Sequence, residues 1–285
     1  MSSKLVKIYT KEHSINFIQE IKTIAKAFVS GHFLAYQFAK RDINAQYRQS
    51  ILGLFWVILL PLITALIWII LQQTNTVNIQ TTQTPYFLHV ITGIFVWSIF
   101  SDSIISPNST VQGMRNSLSK INFPKEALIL SGVYKTLFNA SAKIILLIAF
   151  VLVYDYSILS YQLLLMPIFL ILIILFGTAL GVIITPLSLL FNDVQRLINP
   201  SLQLLMYLSP VVFPFPKNDE GLFNFIVFWN PISPLISNFR NSLIGIPLNQ
   251  LFYCSFIFMI TIICLVISLV IFRITMPIIT ERISS

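Results

Sequence analysis

LLLMPIFLILIILFGTALGVIIT, residues 163–185, runs for 23 residues without a charged side chain. About 20 consecutive apolar residues are what a helix needs to cross the hydrocarbon core of a bilayer. Comparable runs lie at 51–71, 87–105, 137–154, 197–213 and 251–272, so the expected fold is an all-α integral membrane protein with six transmembrane helices. Composition agrees. The 285 residues are 56% hydrophobic and 10% charged, with mean hydropathy +0.84, whereas an ordinary soluble domain is about 25% charged. Too few polar residues remain to coat a water-facing surface.

Outward from that run, the segments between the spans divide into kinds. Residues 1–32 form a polar, basic tail, and the first span begins only near Ile51 with no small-residue cleavage site after it, so it reads as an uncleaved span and not as a signal peptide. In 33–50, aromatic and aliphatic residues interleave with Lys40, Arg41, Asp42 and Arg48, the pattern of an amphipathic helix lying along the membrane surface. Residues 217–249 hold prolines and two apolar runs too short to span, which suits interfacial or re-entrant half-helices. The domain division is thus a tail 1–32, a transmembrane domain 33–275 and a tail 276–285. Within the spans, Pro61 is a kink site, and Gly177 and Gly181 make a small-xxx-small motif suited to close packing inside the protomer. Asp102 falls near a span end. Lys143 falls inside the third span, where it is expected to extend its stem to the interface, with a phosphate contact in a channel as the alternative.

Net charge is +8. With the N-terminus inside, sixteen of the eighteen basic residues fall on the cytoplasmic side and only Lys217 and Arg240 outside. That asymmetry places both termini in the cytoplasm of a multi-pass protein of the cytoplasmic (inner) membrane, and it accounts for the positive charge without nucleic acid. The chemistry of enzymes is missing. His13, His32 and His89 are scattered, the ten acids form no paired motif, and no phosphate-binding glycine-rich lysine motif occurs. Cys254 and Cys264, ten residues apart in one apolar run, would sit about 15 Å apart along a helix, too far for a disulfide. No catalytic residue, cofactor site or metal site is therefore expected. The spans are also nearly without ionisable residues, which disfavours an ion-coupled carrier such as a lipid flippase. Active transport would then draw its energy from another subunit. Trp56, Trp97, Phe100, Tyr207 and Phe213 lie near span ends, where they suit either an interfacial aromatic belt or a conduit whose rings stack on sugars.

RDINAQYRQSILGLFWVILLPL, residues 41–62, carries Arg41, Asp42, Tyr47, Arg48, Ser50, Leu52, Gly53 and Trp56, with Pro61 following. It closely resembles the segment that leads into the first span in the membrane subunits of type-2 ABC exporters of polysaccharide. SLSKINFPKEAL (117–128), FNDVQRLINPSLQLLMYLSPVVFP (191–214) and NPISPLISNFRNSLIG (230–245) are similar to further segments of that family in matching order. The resemblance covers about residues 33–275.

It implies a homodimer of six-helix subunits with two copies of an ATP-binding subunit, which binds the ATP. Ser117 to Glu126 would form a cytoplasmic coupling helix docking on that ATPase, with Phe123 and Pro124 as its apolar knob and Ser117, Lys120, Lys125 and Glu126 around them. Arg41, Asp42, Tyr47 and Arg48 would belong to the interface helix, and 217–249 to periplasmic re-entrant half-helices at an outer gate. The function implied is export of lipid-linked polysaccharide such as O-antigen, capsule or a teichoic-acid-like glycan. The alternative is a non-transporting membrane subunit of a glycan-assembly complex.

Overall fold

A computed structural model describes residues 17–48, 53–77, 85–154, 161–216 and 220–284. The basic tail up to residue 16, Ser50 and Leu52 of the signature, and Lys217 lie outside the described residues. The described residues form nine α-helices and two short 3-10 turns, with no strand. They are α1 (Phe17–Arg48), α2 (Phe55–Gln73), α3 (Tyr86–Gly113), α4 (Glu126–Val153), α5 (Met166–Leu190), α6 (Asn192–Tyr207), α7 (Leu222–Trp229), α8 (Ile232–Ile244) and α9 (Leu251–Ser284).

Five of the described helices are long and apolar enough to cross a membrane: Phe55–Gln73, Tyr86–Gly113, Glu126–Val153, Tyr161–Leu190 and Leu251–Arg282. The expected span at 197–213 is not among them. α6 has 16 residues, about 24 Å of helix, shorter than a bilayer's hydrocarbon core. It also carries Asn192, Asp193, Gln195, Arg196, Asn199 and Gln203. It still travels between the two ends of the bundle. Near its start Gln195 accepts a 2.7 Å hydrogen bond from Asn108 of α3, and just past its end the Val211 carbonyl lies against Gly93, fifteen residues earlier on α3.

α3 is the centre of the bundle, packed by α2, α4, α5 and α8, while α5 packs on α3 and α9. The motif glycines allow this: a Cβ on Gly177 would meet Ser103 Cβ at 2.6 Å, and one on Gly181 would overlap the Ile104 carbonyl. Packing within the protomer is therefore their role. Phe191 is extended (φ −126°, ψ 112°) and ends α5, so α6 turns back at one residue. The elbow is held by Asn108, Gln112 and Ser188, whose amides and hydroxyl bridge α3, α5 and α6.

Several boundaries move from their expected places. α1 crosses the expected tail boundary without a break, because Ile24, Gly31, Ala35 and Ala39 recur at helical spacing and are all buried against the rest of the chain. α9 likewise continues through the expected C-terminal tail to Ser284. The expected coupling helix is a 3-10 turn, Arg115–Ser117, followed by further turns and then by non-helical residues up to Lys125. Pro124 removes a backbone donor there and biases Phe123 away from helical geometry.

Candidate functional site

The bundle has a basic end, where α1, residues 114–126 and the last turns of α9 meet, and a far end built from α7, α8 and the starts of α3 and α9. Between them runs α6. Its Ile198, Leu202 and Met206 are buried, four residues apart, and fix its orientation. On the adjoining face Asn192, Arg196, Asn199, Gln203 and Tyr207 are all exposed. Steps of four, three, four and four residues put them in one line about 22 Å long. At its far-end terminus Tyr207 packs against Trp68 of α2, ring centroids 6.2 Å apart. Polar groups on an uncovered face of a bundle in a bilayer belong to a water-filled path or a polar partner, since hydrocarbon offers them no hydrogen bonds.

At the far end lies a buried arginine. Arg240 of α8 is 5% exposed. Its Nε donates to Thr92 Oγ1 at 3.1 Å, and one terminal nitrogen donates to the carbonyls of Pro210 and Val211 at 3.2 and 3.0 Å. Those carbonyls lie where α6 has unravelled, so the guanidinium satisfies acceptors that the prolines leave without helix donors. Gly93 completes the contact, because a Cβ would overlap the Val211 carbonyl oxygen. All thirteen residues of α8 are buried, whereas α7 leaves Leu222, Phe223, Phe225 and Trp229 exposed. The two expected half-helices therefore differ: α8 is a buried plug, whereas α7 leaves apolar side chains exposed.

At the basic end Arg273 of α9 donates from Nε to Glu20 of α1 at 2.8 Å and from a terminal nitrogen to Glu126 at the start of α4. Lys125 donates to Thr280 of α9 at 3.2 Å, and burial pulls its ammonium below the ordinary lysine range while Glu126 opposes that shift. Beside this region Arg41 pairs with Asp42 at 2.7 Å and lies over the Phe38 ring; Asp42 faces Lys135 at 3.8 Å; and Tyr47 donates to Asn139 at 3.2 Å. These contacts bind the signature of α1 to α4. Arg48 is exposed.

Individual expectations fare differently. Lys143 does not reach the interface: it is 2% exposed and donates to Asp102 at 2.7 Å, so the two residues read as separate oddities form one pair. Phe123 is partly exposed and packs edge-on against Phe38, centroids 5.7 Å apart, and Pro124 lies under Gly31. Glu126 is buried against Arg273, and Lys125 is half-buried, so neither forms an open rim; Lys120 is exposed and Ser117 partly so. The outward side chains at the tip are Asn116, Ser119, Lys120, Ile121 and Asn122. Among the aromatics, Trp97 and Phe100 are core residues, with Phe100 stacked on Phe176. Phe213 packs on Phe223, and Trp56 and Tyr207 are exposed. Cys254 is buried and accepts from Asn238 at 3.1 Å, and both cysteines are free thiols. No cluster of metal-ligating residues occurs among the described residues.

The description of the ABC-2 type transporter family matches residues 34–244, from the middle of α1 to the end of α8. The chain belongs to the ABC-2 type transporter family. It is 28% identical over 236 residues to the O-antigen export system permease protein RfbA of Klebsiella pneumoniae, covering 82% of this chain and 88% of the relative. It is 26% identical over 212 residues to the Myxococcus xanthus protein of the same name, covering 73% and 78%. Membership makes the chain a multi-pass transport subunit that pairs with an ATP-binding subunit. The polar line of α6, the plug α8 and residues 115–126 all lie within the matched part of this ABC-2 transporter, whereas α9 lies beyond it.

Proposed function

We propose that this chain is the permease subunit of an ATP-driven exporter of lipid-linked polysaccharide in the cytoplasmic membrane. The observation that carries the conduit is the polar line on α6. Two copies facing each other across a two-fold axis would turn two such lines inward and enclose a water-filled path. The amides of Asn199 and Gln203 offer donors and acceptors to sugar hydroxyls, and Tyr207 offers a ring face. Uncharged groups of this kind hold a neutral glycan weakly and repeatedly, which suits passage more than capture.

The basic end would face the cytoplasm, with both termini there. Its Lys and Arg residues would attract the phosphate groups of a lipid carrier at the inner leaflet. Two ATP-binding subunits would dock on residues 116–122, with Ile121 as the apolar contact in place of Phe123. α6 and the turns after it would serve as the remaining span, shortened because its polar face borders water. The relatives named for O-antigen export support a cell-surface glycan as cargo.

The test is a double variant, N199L/Q203L, expressed in place of the native chain with its ATP-binding partner. Surface glycan is expected to fall sharply while assembly with the ATPase and ATP hydrolysis persist. Unchanged surface glycan in that variant would remove α6 from the path.

A further inference from the structure

The Arg273 junction joins elements far apart in sequence at the point where residues 115–126 enter α4. Arg273 touches Glu20 and Glu126, 253 and 147 residues away along the chain. Lys125 adds a second tie to α9 at Thr280. Arg273 and Thr280 are seven residues apart, two helical turns, so both ties fall on one face of α9 about 10 Å apart. Met276 and Pro277, between them, line a cavity of about 290 Å³ together with Phe123, Pro124 and Lys125. Residues 122–126 therefore lie along α9 and are fastened to it at two points.

Buried ion pairs add little to stability compared with a well-packed apolar cluster. What a three-charge junction supplies is a fixed register among the three chain segments that carry it. α9 then runs from this junction along α5, its most extensive partner, to the start of α9 beside the plug α8. A displacement of residues 116–122 has a rigid, polar-fastened route into α9.

Resting on the exporter reading above, we infer that Arg273 is a positioning residue that transmits motion of the ATPase-docking tip into α9 through Glu126, beside the separate tie of Lys125 to Thr280, with Glu20 holding α1 to the same joint. It touches neither ATP nor glycan. Its loss separates hydrolysis from transport.

The experiment uses the full chain co-expressed with its ATP-binding subunit, comparing wild type, R273Q, R273M and the exchanged pair E126R/R273E. The exchange keeps one arginine among carboxylates at positions 20 and 273. Three quantities are read: co-purification of the two subunits, ATP hydrolysis in membrane vesicles, and glycan at the cell surface. For R273Q and R273M, co-purification is expected to be unchanged and hydrolysis to stay within about twofold, while surface glycan falls at least about tenfold, the size of a typical coupling between sites. The exchanged pair is expected to recover most of that loss. Normal surface glycan in R273Q and R273M overturns the inference. So does a loss of co-purification in both, which would make the junction part of the docking face. Failure of the exchanged pair to recover any export overturns the role of the charge pairing. If the wild-type chain itself neither co-purifies with the ATPase nor supports surface glycan, the exporter reading fails first, and the inference with it.

Discussion

Two arginines at opposite ends of the bundle, Arg240 buried and Arg273 partly exposed, are held in different ways. Arg273 sits between two carboxylates on different helices, so the joint is charge against charge. Arg240 has hydroxyl and carbonyl partners and, among the described residues, no ion-paired carboxylate. The first arrangement joins intact helices; the second repairs a helix that has come apart. Carbonyls freed at a proline-ended helix must find donors where no water reaches them, and one guanidinium supplies several in a fixed plane. The basic end is therefore a joint between rigid rods, whereas the far end is an irregular plug whose shape depends on one side chain.

That contrast predicts a graded set of effects. The largest is expected at the far end, where Gly93→Ala would drive a methyl group into the Val211 carbonyl; loss of the folded, detergent-soluble protein is the outcome, read by size-exclusion chromatography. Arg240→Gln follows, at roughly 2–4 kcal/mol, because buried acceptors lose charge-assisted donors. Thermal unfolding of the solubilised protein measures it, and Arg240→Lys should recover little, since a point charge does not reproduce the guanidinium's planar fork. Next comes the pair within the bundle. Asp102→Asn leaves the Lys143 ammonium buried beside a neutral amide and should cost about 3 kcal/mol, while Lys143→Met, which leaves a carboxylate with access to solvent, should cost less. Equal costs for the two would mean that Lys143 reaches water after all. The smallest effect on stability is expected at the exposed tip, where Ile121→Asp should shift unfolding by no more than about 0.5 kcal/mol yet abolish co-purification with the ATP-binding subunit. Retained co-purification would move the docking surface elsewhere.

Hydropathy alone located the five long apolar helices, because apolar runs of spanning length have few other uses. At 197–213 it marked an apolar run but not the shorter helix, Asn192–Tyr207, on which an apolar face and a polar face lie side by side; the spacing of Asn192, Arg196, Asn199, Gln203 and Tyr207 was the available signal. The burial of Arg240 left no local trace, since its partners come from α3 and from the turns after α6. Charge counting put Arg240 on the outer side with Lys217, which says nothing of depth within the bundle, and its side chain is packed in the interior. Lys143 and Asp102 were visible singly, but their pairing depends on how α3 and α4 cross. Phe123 and Ile121 are two residues apart, and the path of α1 sets their difference in exposure: Phe38 covers part of Phe123 and leaves Ile121 exposed. Trp97 and Phe100 looked like interfacial aromatics because hydropathy gives depth along a helix and not direction around it.

Depletion of the chain in its native cell, with lipid-linked glycan and surface glycan both measured, tests the export role most directly. Finished lipid-linked glycan is expected to accumulate inside while surface glycan disappears, and re-expression should reverse both. Normal surface glycan after depletion, or loss of surface glycan without any internal accumulation, would contradict export as the function of this chain.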